Sequence, residues 1–196
     1  MLIGTMDWLQ NSRSAFIEEG FNEIIIPSIW EQSTFTNKAG NDILSKMYSF
    51  KDKTQRDICL IPEVTAIIQE IYNEEWKRLR KKPVKVFYVN RCYRYDQPQY
   101  GRYREFTQFG VEILGGNLDS NYEYVKSLAK RLMKSYNTTY NELVKRGLNY
   151  YIEDGFEIEC PELGAQKQIV GGGKYQEGSG FAIGIDRLML CNLSED

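Results

Sequence analysis

Tyr93-Arg94-Tyr95-Asp96-Gln97-Pro98-Gln99-Tyr100-Gly101-Arg102-Tyr103-Arg104-Glu105-Phe106-Thr107-Gln108 is the stretch on which the fold turns. Before it, Val84–Asn90 is β-branched and aromatic and runs into an alternating segment, Arg91–Asp96. After the turn-like Gln97–Gly101, a second alternating segment covers Tyr103–Leu114, closed by Gly115 and Gly116. Two such runs around a polar loop containing Pro and Gly predict an antiparallel hairpin.

Strand periodicity assigns faces to this hairpin. Arg94 and Asp96 share one face of the first arm; Gln108, Gly110 and Glu112 share one face of the second. Phe109, Val111 and Ile113 take the opposite side. A face with Arg, Asp, Gln and Glu around a glycine suits a polar ligand, with Gly110 allowing close approach. Arg102 and Arg104 in the loop add planar donors suited to phosphate. The same residues could equally form a solvated sheet face with cross-strand ion pairs.

Working outward, a first helix is predicted through Leu9–Ile17, ended by Gly20, then a short buried strand at Glu23–Ile26 stopped by Pro27. Short strands are predicted at Met47–Phe50 and Ile58–Leu60. The clearest helix is Pro62–Leu79, with Val64, Ile67, Ile68, Ile71, Tyr72, Trp76 and Leu79 on one stripe. Ser120 and Glu123 have capping-box spacing ahead of a helix carrying Val125, Leu128, Ala129, Leu132 and Met133. Strands near Leu148–Ile158 and Gln166–Val170, a glycine run and a closing helix over Phe181–Leu193 complete the reading. Without repeats or a Pro/Gly/Ser-rich linker, residues 1–196 read as one α+β domain: an antiparallel sheet flanked by helices.

Composition narrows the chemistry. The chain has no histidine, which removes Ser–His and Cys–His catalysis and the commonest metal ligand. Cys59, Cys92, Cys160 and Cys191 are widely spaced, so neither a zinc site nor a disulfide framework is expected and a reducing cytosol fits. Met1–Gly4 is too short an apolar opening for a signal peptide, and no apolar run could span a bilayer, so a cytoplasmic location without membrane contact is expected. A formal charge of −2 leaves any RNA contact to local patches. The run Lys77, Arg78, Arg80, Lys81, Lys82 is read first as helix-end dipole compensation and solvation, with RNA contact as the other reading.

The segment Tyr93–Gln108 closely resembles motif 2 of class II aminoacyl-tRNA synthetases, in the histidyl-tRNA synthetase form. Other segments resemble the same family in order. Gly20-Phe21-Asn22-Glu23-Ile24 through Pro27 is similar to motif 1, and Leu60–Ala66 to the segment that grips the substrate ammonium. Arg146-Gly147-Leu148-Asn149-Tyr150-Tyr151 is similar to the RGLDYY signature, Gly171–Tyr175 to the GGGRY segment, and Gly180–Leu188 to motif 3. Six ordered resemblances are far more specific than one.

The resemblance implies a class II synthetase-like catalytic fold and activation of an amino acid, histidine first, by ATP with Mg²⁺. The product would pass to tRNA, whose acceptor end motif 2 can touch, or to another acceptor. It implies catalytic roles for Arg94, Arg146 and Arg187, and ATP contacts from Arg94, Asp96, Arg102 and Arg187. Gly180 and Gly184 would keep the closing helix near the nucleotide. Glu63, Thr65, Gln108, Glu112, Tyr151 and Tyr175 would bind the amino acid, the first two at its ammonium. Motif 1 implies a homodimer, to which the apolar segment Phe21–Trp30 adds. A dedicated protein ligand set for a metal is not visible.

The departures are specific. Only 33 residues separate Glu112 from Arg146, where the family carries an inserted helical domain, and no anticodon-reading domain follows motif 3 in the 196 residues. The stretch between Tyr175 and Gly180 is shortened. Asn149 stands for Asp, Ile61 and Gln97 for Arg, and Asp154-Gly155 for Thr-Val. A non-catalytic paralogue that binds histidine and controls a partner such as ATP phosphoribosyltransferase is therefore the alternative. Joint retention of Arg94, Arg102, Arg146 and Arg187 favours the enzyme.

Overall fold

The computed structural model describes residues 3–38 and 40–193. Helix α1 (Ile3–Glu18) leads through Gly20, at φ +80°, into β1 (Asn22–Ile24). The next segment holds β2 (Ile29–Glu31), α2 (Gln32–Lys38), α3 (Asn41–Leu44), β3 (Ser49–Lys51) and β4 (Asp57–Leu60). Helix α4 (Thr65–Ile71) continues through a π-helical turn, Tyr72–Trp76, into α5 (Lys77–Leu79). The long hairpin follows as β5 (Val84–Tyr93) and β6 (Glu105–Leu114), then α6 (Leu118–Met133). The remainder is β7 (Thr139–Val144), β8 (Gly155–Glu159), a 3₁₀ segment Pro161–Gln166, β9 (Gln168–Tyr175), β10 (Gly178–Gly184) and α7 (Ile185–Leu188).

A seven-stranded sheet in the order β1-β5-β6-β10-β9-β8-β7 is the frame. Only β1 runs parallel to its neighbour; every other pairing is antiparallel. The predicted alternation sets its two faces. Phe87, Phe109, Val111, Ile113 and Phe181 pack under α1 and α6 with Phe16, Val125 and Leu128. The other face carries Val86, Tyr88 and Cys92 against Ile67, Ile68 and Tyr72 of the α4 segment. The small sheet β2-β4-β3 joins that second core through Cys59.

Several expectations are corrected. The second helix begins at Thr65 rather than Pro62, with Val64 at its N-cap; the Glu63 carboxylate just ahead of it accepts from Ala66 N at 3.0 Å, satisfying one of the free N–H groups of the first turn. The capping box at Ser120 and Glu123 is not formed; Asn117 caps α6 instead, accepting from Ser120 N at 3.0 Å. The predicted buried strand near Glu23–Ile26 is a short edge strand, and Ile25 beyond it is 90% exposed. Leu148–Ile158 is mostly loop, leaving β8 as its strand, while β7 had no clear alternation to reveal it. Gly171–Gly173 lie inside β9, and most of the predicted closing helix is strand β10 or loop. Small residues from Gly178 to Gly184 let β10 hydrogen-bond to β6 and β9 together, which a helix there would forfeit.

Candidate active site

On the even-numbered face of the hairpin, large side chains alternate across the sheet with glycine and alanine. Strand register sets Tyr88, Gly110, Ala182, Gly171 and Glu157 in one row, with Val86, Glu112, Gly180 and Gly173 in the next. Each glycine position is used by another side chain. The Tyr88 ring lies against Gly110, the Glu112 carboxylate against Gly180, the Tyr151 ring against Gly173 and the Arg146 guanidinium against Gly171. The expectation that Gly110 admits a ligand is thereby corrected: Tyr88 already fills its space.

Beyond this floor opens a cavity of about 310 Å³, bordered by Glu63, Thr65, Arg94, Asp96, Arg102, Gln108, Arg146, Tyr151 and Arg187. Residues as distant in sequence as Glu63 and Arg187 thus meet around one space. Glu112 and Tyr175 do not border it; both are fully buried, bonded to each other behind its wall. Asp42, Lys46, Tyr150, Gln168 and Asp186 also lie at or beside the cavity; of these, only Tyr150 and Asp186 fall within the quoted motifs, and none was singled out in the sequence. Asp42, Tyr150, Gln168 and Asp186 border the cavity, and Lys46 pairs with Asp96 at 3.5 Å.

The arginines are held in different ways. Arg94 donates from Nε to the Pro62 carbonyl at 2.9 Å and lies over the Phe106 ring. Arg102 reaches toward Asp96 at 3.8 Å. Arg187 ties the hairpin loop to β9, donating to Gly101 O at 2.5 Å and Gln168 O at 2.8 Å. Its pKa is lowered by burial first, then by the nearby charges of Arg102 and Arg94. Planar guanidinium donors gathered in this way suit a ligand carrying phosphate oxygens.

Glu63 and Thr65 add an acidic and hydroxylic lining to the same cavity. Glu63 accepts from the backbone N–H of Ala66 and lies 3.4 Å from the Tyr150 hydroxyl. Burial raises its pKa, and the Ala66 N–H and Arg94 oppose that rise. Thr65 donates to Glu112 Oε1 at 2.6 Å and Tyr175 donates to Oε2 at 2.7 Å. Burial still pushes the Glu112 carboxyl up to about 8 against both bonds. A cationic region beside a carboxylate and hydroxyl lining can hold a polyanion and an ammonium group together.

An antiparallel sheet with one parallel edge strand, carrying this cavity beside its long hairpin, defines a catalytic domain of the class II aminoacyl-tRNA synthetase type. The profile of the family described as Histidyl-tRNA synthetase matches residues 6–133, and the chain belongs to that family. It is 40% identical over 144 residues to the histidine–tRNA ligase of Methanosarcina acetivorans, covering 67% of this chain and 34% of that protein. With the histidine–tRNA ligase of Sulfolobus acidocaldarius it shares 43% identity over 105 residues, 54% of this chain and 24% of the other. The aligned part is thus about a third or less of each of these curated relatives.

Solved structures agree on the fold. The apo histidyl-tRNA synthetase of S. aureus superposes with a TM-score of 0.72 at 24% identity, over 94% of this chain and 64% of that one. A Bacillus halodurans protein titled as an ATP phosphoribosyltransferase regulatory subunit/histidyl-tRNA synthetase gives 0.76 at 15% identity, over 95% and 78%. Among the described residues no helix is long and apolar enough to cross a membrane.

Proposed function

We propose that this chain activates histidine with ATP, forming histidyl-adenylate and releasing pyrophosphate. The supporting observation is that Arg94, Arg102, Arg146 and Arg187 border the same cavity as Glu63, Thr65, Gln108 and Tyr151. In the reaction a carboxylate oxygen bonds to the α-phosphorus and the bond to pyrophosphate breaks. Catalysis then rests on aiming two anions at each other and holding the charge that develops. Arg94 would take the α-phosphate, Arg102 the far end of the triphosphate, and Arg187 the adenine side. Glu63 and Thr65 would take the ammonium and Arg146 the reacting carboxylate. Gln108 and Tyr151 would line the side-chain region, with Glu112 and Tyr175 fixing its back wall.

Among the described residues no group of three or more Cys, Asp or Glu side chains could hold a metal ion. Mg²⁺ would therefore arrive on the triphosphate oxygens, which supply its ligands and share its charge, and no step is assigned to it here. The adenylate would pass to the 3′ end of a tRNA or to another acceptor, and two chains would pair through the motif 1 segment.

Calorimetric titration with a non-hydrolysable histidyl-adenylate analogue tests the reading. It predicts tight binding that Arg94→Ala abolishes. Binding of free histidine with none of the analogue would instead favour a histidine-sensing paralogue.

A further inference from the structure

Arg146 lies in the connection between β7 and β8, outside any regular element, yet its side chain is only 13% exposed. Its surroundings explain how it is held. The stem crosses Gly155, where a Cβ would collide with the Gly172 carbonyl oxygen on β9 and come within 2.8 Å of Arg146 Cδ and 3.0 Å of its Cγ. The guanidinium continues to Gly171, where a Cβ would collide with Nη2. Glu157 stands directly opposite Gly171 in the β8–β9 register, so a carboxylate adjoins the position left empty by the glycine. Its Oε2 lies 3.8 Å from Arg146 Nη1, and its side chain is 18% exposed.

Gly155 and Glu157 are two residues apart on one strand and therefore share a face. One makes room for the arginine's stem, the other faces its head. Glu157 is the carboxylate paired with Arg146 among the described residues and does not itself border the cavity. At 3.8 Å the pair attracts without a hydrogen bond, leaving the guanidinium donors free for a ligand. A cation this buried needs such a counter-charge to stay in place while the cavity is empty.

We propose that Gly155 and Glu157 form a seat for Arg146, which makes Glu157 a positioning residue for the chemistry of the cavity. The inference rests on the adenylation reading for its kinetic consequence, but not for its geometry.

Two measurements on the full chain test it. The first is the Arg146 Nε–Hε resonance in a ¹⁵N-resolved spectrum, assigned by its loss in Arg146→Lys. Glu157→Gln and Glu157→Ala should each shift it and quicken its exchange with water; an unmoved resonance in both variants overturns the seat. The second is ATP–pyrophosphate exchange. Glu157→Gln should slow it by about 10- to 100-fold, the scale of a misplaced reacting group. The double variant Arg146→Ala/Glu157→Gln should be no slower than Arg146→Ala alone. An equal fractional loss in both backgrounds would mean that Glu157 acts independently of Arg146, and overturns the proposal. If the unaltered protein shows no exchange, adenylation fails and the resonance alone decides the seat. Glu157→Asp, which keeps the charge but draws it back from the guanidinium, carries the same tests if Glu157→Gln loses its fold.

Discussion

The Tyr175 hydroxyl donates to Glu112 Oε2 at 2.7 Å inside a wall that water does not reach. Thr65 donates to the other oxygen at 2.6 Å, so this carboxyl links β9, β6 and the start of α4. Alternation along β6 placed Glu112 on the same strand face as Gln108 and Gly110. It could not show that Gly180 gives the carboxylate a recess in the neighbouring strand, out of contact with the cavity.

This burial has a pH signature. Burial pushes the Glu112 carboxyl up to about 8, well above the ordinary carboxylate range, so the folded state binds its proton more tightly than the unfolded chain does. The sign follows: its contribution to stability is fully present below the unfolded pKa and is lost as pH rises through the folded one. Glu112→Gln cannot ionise, so its melting temperature relative to the unaltered protein should rise steadily between about pH 5 and about pH 9. A constant difference across that range would show that Glu112 ionises normally in the folded protein.

Tyr88 offers a stability test on the same floor. Its hydroxyl faces Thr65, is fully buried and closes no hydrogen bond among the described residues. Tyr88→Phe should therefore be neutral or stabilising by up to about 1 kcal/mol in denaturant unfolding. Gly110→Ala pushes a methyl group into that ring and should cost about 1–3 kcal/mol. A large loss in Tyr88→Phe would reveal a partner for the hydroxyl.

The hairpin and the α4 segment were legible because each carries a long, consistent period: Phe87, Phe109, Val111 and Ile113 on one side of the strands, Val64 to Leu79 along the helix. Strand β10 was not, since Gly178–Gly184 has few large side chains to alternate, and its pairing with both β6 and β9 is a tertiary fact. The site was legible mainly through ordered motifs, which named Arg146 and Arg187 without periodicity. Those motifs could not distinguish side chains that border the cavity, such as Gln108, from those sealed behind it, such as Tyr175. Nor could they reveal Glu157, whose partnership with Arg146 depends on the β8–β9 register.

Arg187 should show two effects when removed. Arg187→Ala loses a cation from the cavity and also frees the hairpin loop at Gly101 from β9 at Gln168. We expect exchange to fall by about 100-fold or more, and proteolysis after Arg102 and Arg104 to quicken. Unchanged cleavage would remove the tether from the account.

Self-association is the fourth expectation. Ile25 is 90% exposed and Ile29 49% exposed, both within the apolar segment Phe21–Trp30 that contains the motif 1 resemblance. Sedimentation equilibrium should show dimers at micromolar concentration, and Ile25→Asp should give monomers. Monomers alone from the unaltered chain would contradict the pairing.

The central claim is tested most directly by amino-acid-dependent ATP–pyrophosphate exchange, with histidine and every other standard amino acid offered separately. The account predicts exchange with histidine above the rest, and its loss in Arg94→Ala without loss of fold. Absence of exchange with all of them, from folded protein that still binds histidine, would contradict it.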